Sequence, residues 1–303
     1  MSLHRRHALA AGAETGSASG AAERYARAVT IAETAEAFRR LHEGPGAFVM
    51  PNPWDVGTTR ILTGLGYEAL ATTSAGLAYT LGRRDGEAAV TRDEALEHAA
   101  LIAGATELPV NGDLENGFGH DPESVAETIR GAAAAGLVGC SIEDSTSAPG
   151  EPIYPLSQAV ERIAAGVEAA RALPFAFTLT ARSENYLHGR SDLDDTIERL
   201  QAYDKAGADV LYAPGLRDID DIRTVCAAVS KPVNVLALAG APSVELLSAA
   251  GVRRISLGSG FFNTALGAFL RAAKDVREHG TFGCLDGGAT SRDLRPFMEE
   301  RAL

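Results

Sequence analysis

The stretch 108–120, LPVNGDLENGFGH, runs from an apolar segment, Pro109-Val110, into two carboxylates, Asp113 and Glu115, and then into Gly117 and Gly119. β-Favouring residues followed by glycines, which turn the backbone without a Cβ penalty, predict a buried strand emptying into a loop. Residues two apart on a strand share a face, so Asp113 and Glu115 converge on one volume if strand geometry persists through Glu115. Two like charges held that close need a cation between them. Oxygen ligands with no His or Cys beside them suit a hard ion, Mg2+ or alternatively Mn2+, held partly through water. A solvated D-x-E turn is the plain alternative.

Similar apolar runs recur on both sides of this stretch. They are AFVMPNPW (47–54), YEALATTS (67–74), LPVNGDLE (108–115), GCSIEDS (139–145), FAFTLTARS (175–183), ADVLYAPG (208–215), KPVNVLAL (231–238) and RRISLGSG (253–260). Helical periodicity fills the gaps at 91–105, 122–135, 157–172, 192–206 and 242–250, and a shorter amphipathic helix precedes them at 33–42. Gly136, Gly207 and Gly251 stand where helices end. Eight strand candidates alternating with helices predict an α/β fold with parallel strands, and the number favours a closed (β/α)8 TIM barrel in one domain. A doubly wound sheet would more often carry G-x-G-x-x-G after its first strand, and Pro51-Asn52-Pro53-Trp54 is nothing like it. The organisation expected is a disordered tail over 1–30, the barrel over 31–285 and a C-terminal segment over 286–303.

The chain has 303 residues, 46% of them hydrophobic, and a net charge of -12. That charge argues against nucleic acid and anionic membrane as partners, though not against small anions, since a bound cation reverses the local field. The residues before Arg27 contain no continuous apolar segment, and no run is long enough to span a bilayer. Cys140, Cys226 and Cys284 lie far apart with no metal-ligand spacing, which fits a reducing, cytoplasmic setting.

In a barrel the active site forms at the carboxyl ends of the strands. Those ends carry Trp54, Asp55, Thr73, Ser74, Asp113, Glu115, Glu143, Asp144, Arg182, Glu184, Asn234 and Ser259. Asp85, Asp113, Glu115 and Glu143 form the acidic set expected around one divalent ion. Arg182 leaves the apolar run 175–181 at a strand end, placed either to clamp a carboxylate bidentately or to neutralise Glu143 and Glu184. His120 and His188 follow strands as acid/base candidates or as solvated loop residues, and His4, His7, His42, His98 and His279 look peripheral. Neither a Walker A loop, H-E-x-x-H nor G-x-S-x-G occurs.

Five stretches together resemble the isocitrate lyase and phosphoenolpyruvate mutase superfamily: TTSAGLAYTLGRRDG (72–86), GDLENGFG (112–119), GCSIEDS (139–145), TARSENYLHGR (180–190) and AYDKAGADVLYAP (202–214). The similarity runs from about Arg40 to Phe282. It implies a Mg2+-dependent enzyme that forms or uses the enolate of a 2-oxo acid. It implies that Asp85 and Asp113 serve the metal, with Glu115 where the family usually carries a second aspartate and Glu143 in the same shell. Thr73, Ser74 and Ala75 match the segment that holds the substrate carboxylate, and Arg182 matches the family's arginine. With Asn234 at its strand end, these are the expected substrate contacts, and Arg182 and Glu143 the expected catalytic residues. Homo-oligomers, dimeric or tetrameric, are also implied, with 261–279 as a terminal helix that packs on a neighbour.

Lyases of the family carry K-[KR]-C-G-H after the fourth strand, and mutases a Lys and Asn. Here the loop reads STSAPGEPIYPL, and Pro214 stands where tricarboxylate-cleaving members place a glutamate. Both departures argue against cleavage of isocitrate or methylisocitrate, and the loop also argues against mutase chemistry. The expected function is a Mg2+-dependent lyase or hydrolase that breaks a carbon–carbon bond of a small 2-oxo or 2-hydroxy dicarboxylate. A non-catalytic oxo-acid binder and carbon–phosphorus chemistry are the rivals. Gly150 and the prolines of 145–156 suggest a lid that orders on ligand binding.

Overall fold

Residues 29–148 and 150–298 are described by a computed structural model; the expected N-terminal tail lies outside them except for Val29 and Thr30. The chain begins with α1 (Ile31–Glu43), β1 (Phe48–Met50), α2 (Val56–Gly64), β2 (Leu70–Ala71), α3 (Ser74–Thr80) and α4 (Arg92–Ala103). It continues through β3 (Val110–Asp113), α5 (Pro122–Ala134), β4 (Gly139–Glu143), α6 (Leu156–Arg171), β5 (Thr178–Arg182) and α7 (Leu193–Ala206). Last come β6 (Val210–Tyr212), α8 (Ile219–Ala228), β7 (Val233–Leu236), α9 (Val244–Ala249), β8 (Arg254–Ser256), α10 (Gly260–His279) and a short α11 (Ser291–Leu294).

All eight strands are parallel neighbours in one sheet, in the order β1-β8-β7-β6-β5-β4-β3-β2. The remaining seam, between β1 and β2, is closed by few bonds, because two prolines interrupt the end of β1 and a proline has no N–H to give. Ala71 N donates to Pro51 O at 3.0 Å. Asn52, between the prolines, makes up for the missing donors: its Nδ2 donates to Thr72 O at 2.8 Å and its Oδ1 accepts from Leu257 N at 3.1 Å. One side chain thus joins the ends of β1, β2 and β8, completing the (β/α)8 barrel.

Helix limits follow local chemistry. Thr30 with Glu33 and Thr91 with Glu94 form capping boxes, and Asp121-Pro122 starts α5 with a side-chain cap and a proline in the first turn. Gly207 ends α7 at φ 101°, where only glycine rests without strain. The amphipathic α1 plugs the amino-terminal mouth. Its Phe38 is fully buried, edge-on to Phe48 at 6.4 Å and to His42 at 4.8 Å. Four helices lay outside the expected pattern: α2, α3, α8 and α11. The run 67–74 keeps only two strand residues, since Thr73 caps α3 through its hydroxyl on Gly76 N. At the other end the C-terminal segment returns to α2, where the Phe297 ring fills the space a Cβ on Gly64 would need. Among the described residues no helix is long and apolar enough to cross a membrane.

Removing the plug tests this closure. Phe38→Ala should lower unfolding free energy by about 3–5 kcal/mol, as for a large aromatic lost from a core, measured by urea titration. A loss below about 1 kcal/mol would show that α1 is not part of the core.

Candidate active site

Alternation along the strands sorts the rim residues. Glu143 and Arg182 are register partners on β4 and β5, so their side chains lie on the same side of the sheet. Arg182 also reaches Asp113 on β3, which is not its neighbour; that contact passes through the barrel interior. Nη1 lies 2.7 Å from Asp113 Oδ1, and Nη2 lies 3.1 Å from Glu143 Oε2 and 2.8 Å from Glu184 Oε1. Its guanidinium also sits over the Tyr212 ring, 5.2 Å from the centroid. Asp144, one residue on, points the other way. It accepts from Arg199 Nη1 at 3.1 Å and Tyr203 OH at 2.6 Å, binding α7 to the strand end.

Three carboxylates against one guanidinium leave the cluster short of positive charge. Burial raises Glu143 well above the ordinary carboxylate range, and raises Glu184, although Arg182 opposes both. Burial works against Arg182's charge too, yet Glu184, Glu143 and Asp113 outweigh it and hold the guanidinium firmly protonated. Glu115 is pushed up to about 7 by burial, then by the charges of Asp113 and Asp85. Asp85, on an exposed loop, is raised by desolvation and by Asp113. At neutral pH such a group retains protons that an added cation would displace.

Asp113 is the most heavily bonded of the set. Besides Arg182, its Oδ2 accepts from Ser74 N at 2.9 Å and Ser74 Oγ at 2.8 Å, and its Oδ1 from Ser141 Oγ at 3.4 Å. A cleft of about 10 Å³, room for one water-sized occupant, lies among Thr72, Thr73, Ser74, Asp113, Glu115 and His98. His98, which looked peripheral in the sequence, lines it with Nε2 on Trp54 O at 2.8 Å. Among the described residues no group of three His, Cys, Asp or Glu is gathered to hold a metal unaided. The described residues thus form no dedicated protein cage. Mg2+ does not require one: it keeps several waters and is commonly held by one or two carboxylates. The carboxylates of Asp113 and Glu115 and the hydroxyls of Thr72, Thr73 and Ser74 fit such an ion on one side of the cleft, whose other side is apolar, with Leu77, Val90 and Ala95.

Two expectations need correction. Strand geometry does not persist through Glu115: β3 ends at Asp113, and Glu115 takes φ 48°. The backbone turns because Leu114 is drawn into the core, 1% exposed, and Glu115 O accepts from Glu143 N at 3.0 Å. Phe118 also has positive φ, 58°, beside Gly117 at 83°. Such strain collects at functional sites when the surroundings hold it in place. The holder is Arg162 on α6, a residue the sequence did not mark. Fully buried beneath the Tyr154 ring, it donates to the carbonyls of Asn116, Gly119 and Asp121. The second correction concerns Asn234, expected among the substrate contacts. It is 1% exposed, donates through Nδ2 to Ser256 Oγ and accepts at Oδ1 from Arg254. With both amide atoms engaged in the barrel interior, it is not available at the rim.

Thr73, Ser74 and Ala75 begin α3 as expected, and Ala75 N has no hydrogen-bond partner among the described residues. The loop after β4 is pinned at both ends. Ser145 pairs with Ile153, Tyr154 N donates to Asp144 O at 2.9 Å, and Thr146 N donates to Pro152 O at 2.8 Å.

Residues 38–277 match the phosphoenolpyruvate phosphomutase family. The chain belongs to that family, within the phosphoenolpyruvate mutase/isocitrate lyase superfamily. A Burkholderia cenocepacia J2315 protein, described as a candidate lyase/mutase, superposes with TM-score 0.86 at 56% identity, covering 89% of this chain and 97% of that one. Oxaloacetate decarboxylase 2 of Pseudomonas fluorescens is 30% identical, over 81% of this chain and 84% of its own length. Oxaloacetate acetylhydrolase, solved with its product oxalate, superposes with TM-score 0.78 at 27% identity, over 88% and 94%. These phosphomutase-family relatives include enzymes named for carbon–carbon cleavage of an oxo acid.

The Glu115 shift gives a pH dependence. With a folded-state value near 7 against an ordinary 4.5, Glu115 keeps a proton in the fold that the unfolded chain releases earlier. Its contribution to stability is complete below the ordinary value and lost as pH rises through about 7. Metal-free protein should therefore melt at falling temperature across that window, and Glu115→Gln should flatten the decline. Parallel melting curves for the two proteins would contradict this.

Proposed function

We propose that this protein is a Mg2+-dependent lyase or hydrolase that cleaves a carbon–carbon bond of a small 2-oxo or 2-hydroxy dicarboxylate through an enolate. The observation that carries the reading is the carboxylate excess at the strand ends, where Asp113, Glu143 and Glu184 share the one guanidinium of Arg182. The related oxaloacetate decarboxylase and oxaloacetate acetylhydrolase support a four-carbon oxo dicarboxylate as the substrate class. When bound, Mg2+ would supply Lewis-acid stabilisation of negative charge on the substrate oxygens.

Asp113 and Glu115 would hold the ion, with Asp85 and Glu143 adding negative charge beside it. Arg182 is the clamp. Its Nη1, now on Asp113, would pass to a substrate carboxylate as Asp113 turns to the ion, while Glu184 keeps the guanidinium plane in place. Ala75 N and the Thr73-Ser74 segment would receive the other carboxylate, and Tyr212 packs under Arg182 to exclude water. Asn234 takes no part.

Arg182→Lys separates a clamp from a mere counter-charge, since lysine keeps the charge and loses the planar fork. With Mg2+ saturating, turnover of oxaloacetate and 2-hydroxy dicarboxylates should fall on the order of 10²-fold. A change smaller than about threefold would overturn the clamp.

We further propose a cytoplasmic homo-oligomer, in keeping with three unpaired cysteines. Only Phe262 of α10 is buried, whereas Phe269 and Leu270 are 67% and 54% exposed. A second copy of the chain would cover that face. Light scattering should give a dimer or tetramer, and Phe269→Glu should yield smaller species; a monomeric wild type would rule the interface out.

A further inference from the structure

An enolate needs a proton at carbon to become product, and Asp113, Glu143 and Glu184 are already engaged by Arg182. One hydroxyl at the rim has the surroundings of a proton donor. Ser145 lies two residues beyond Glu143. The chain stays extended between them, because Asp144 N donates to Arg182 O at 3.1 Å and Ser145 pairs with Ile153. Alternation therefore returns Ser145 to the side of Ser141 and Glu143, roughly 7 Å along the strand above Glu143. That is the side from which Glu143 meets Arg182.

Two groups meet its oxygen. His188 Nε2 lies 3.3 Å from Ser145 Oγ, and Ser147 N donates to the same oxygen at 3.4 Å. Ser147 makes that bond from φ 59°, a left-handed conformation that a serine rarely adopts. Strain of this kind persists only where its surroundings impose it. Ser145 is 4% exposed, whereas His188 is exposed and open to solvent protons. Buried hydroxyl, imidazole and stabilising N–H form a path from water to the site.

We infer that Ser145 and His188 are the proton relay of this enzyme, an inference that rests on the enolate reading above. In the step, the enolate carbon takes the Ser145 hydroxyl proton: a C–H bond forms, the O–H bond breaks, and the enolate oxygen regains its carbonyl double bond. The seryl oxygen takes a proton from protonated His188 Nε2 as it forms, with the Ser147 N–H offsetting its charge. Neutral His188 is then reprotonated from solvent. Run backwards, the same step removes a C3 proton from a 2-oxo acid.

The reverse direction gives the test. Wild-type protein with Mg2+ should exchange the C3 protons of pyruvate for deuterium in D2O, followed by proton NMR. Ser145→Ala and His188→Gln should each slow exchange by about 10²-fold or more, and the double variant no further, because the two act as one unit. Ser145→Thr should restore most of the rate. Oxalate, a planar enolate mimic, should bind every variant with Mg2+ at unchanged affinity by calorimetry, which also reports folding. Wild-type exchange rates in either single variant would overturn the relay, as would absent exchange in a wild type that still binds oxalate. A wild type that binds no oxalate would overturn the enolate reading and the relay with it.

Discussion

Arg182 sits where three strand ends deliver carboxylates to one point, and the site is built on that imbalance. A buried carboxylate without compensation costs several kcal/mol, and one guanidinium cannot fully compensate Asp113, Glu143 and Glu184 together. The protein tolerates the deficit by keeping Glu143 and Glu184 raised towards their protonated forms and by filling Asp113's oxygens with serine donors. An arrangement of that kind is poorly suited to a purely structural role. A cation and an anionic substrate with oxygen ligands would relieve the deficit together, which is why charge balance and proposed chemistry point the same way.

The strength of the site comes from what lies behind it. Asp144 turns outward to Arg199 and Tyr203, so the strand end that presents Glu143 is anchored to α7. Arg162 fixes the strained turn after Asp113 by three carbonyl bonds. The barrel interior is also unusually polar. His42 meets Arg254, which bonds Asn234 and Thr180; Asn234 bonds Ser256, and Ser256 lies 3.5 Å from the hydroxyl of Tyr212, the ring under Arg182. Arg254 has no carboxylate partner among the described residues, and burial lowers its pKa to about 9. Its neighbour His42 is driven down to about 3 by burial and by Arg254, and so stays neutral. The column therefore carries one positive charge through hydrogen bonds to neutral groups, a costly core that specifies its own registration.

Local sequence determined much of this molecule. Alternating apolar runs and capped helices set the (β/α)8 order, because periodicity and end chemistry are properties of neighbouring residues. The runs at 108–115, 139–145 and 175–183 became β3, β4 and β5, and Asp113, Glu143 and Arg182 emerged at their ends. The helices α2, α3, α8 and α11 escaped notice; of these α3 and α11, at 7 and 4 residues, carry too little of a 3.6-residue repeat to distinguish them from loops.

Tertiary structure decided the rest. Nothing local tells that Glu115 leaves the strand in a left-handed turn, since that depends on Leu114 being buried and on Glu143 N from the next strand. Asn234 reads as a rim residue in sequence, yet its partners, Arg254 and Ser256, are brought beside it only by the β7–β8 register. Arg162 is one charged residue on an amphipathic helix until α6 packs against the loop it holds. His188 and Ser145 stand 43 residues apart and meet because parallel strands put their following loops at one mouth of the barrel. Residue identity and local pattern thus determined which groups exist and roughly where each strand releases them, whereas register, burial and cross-barrel contacts decided which of them face one another, because those depend on distances between segments far apart in the chain.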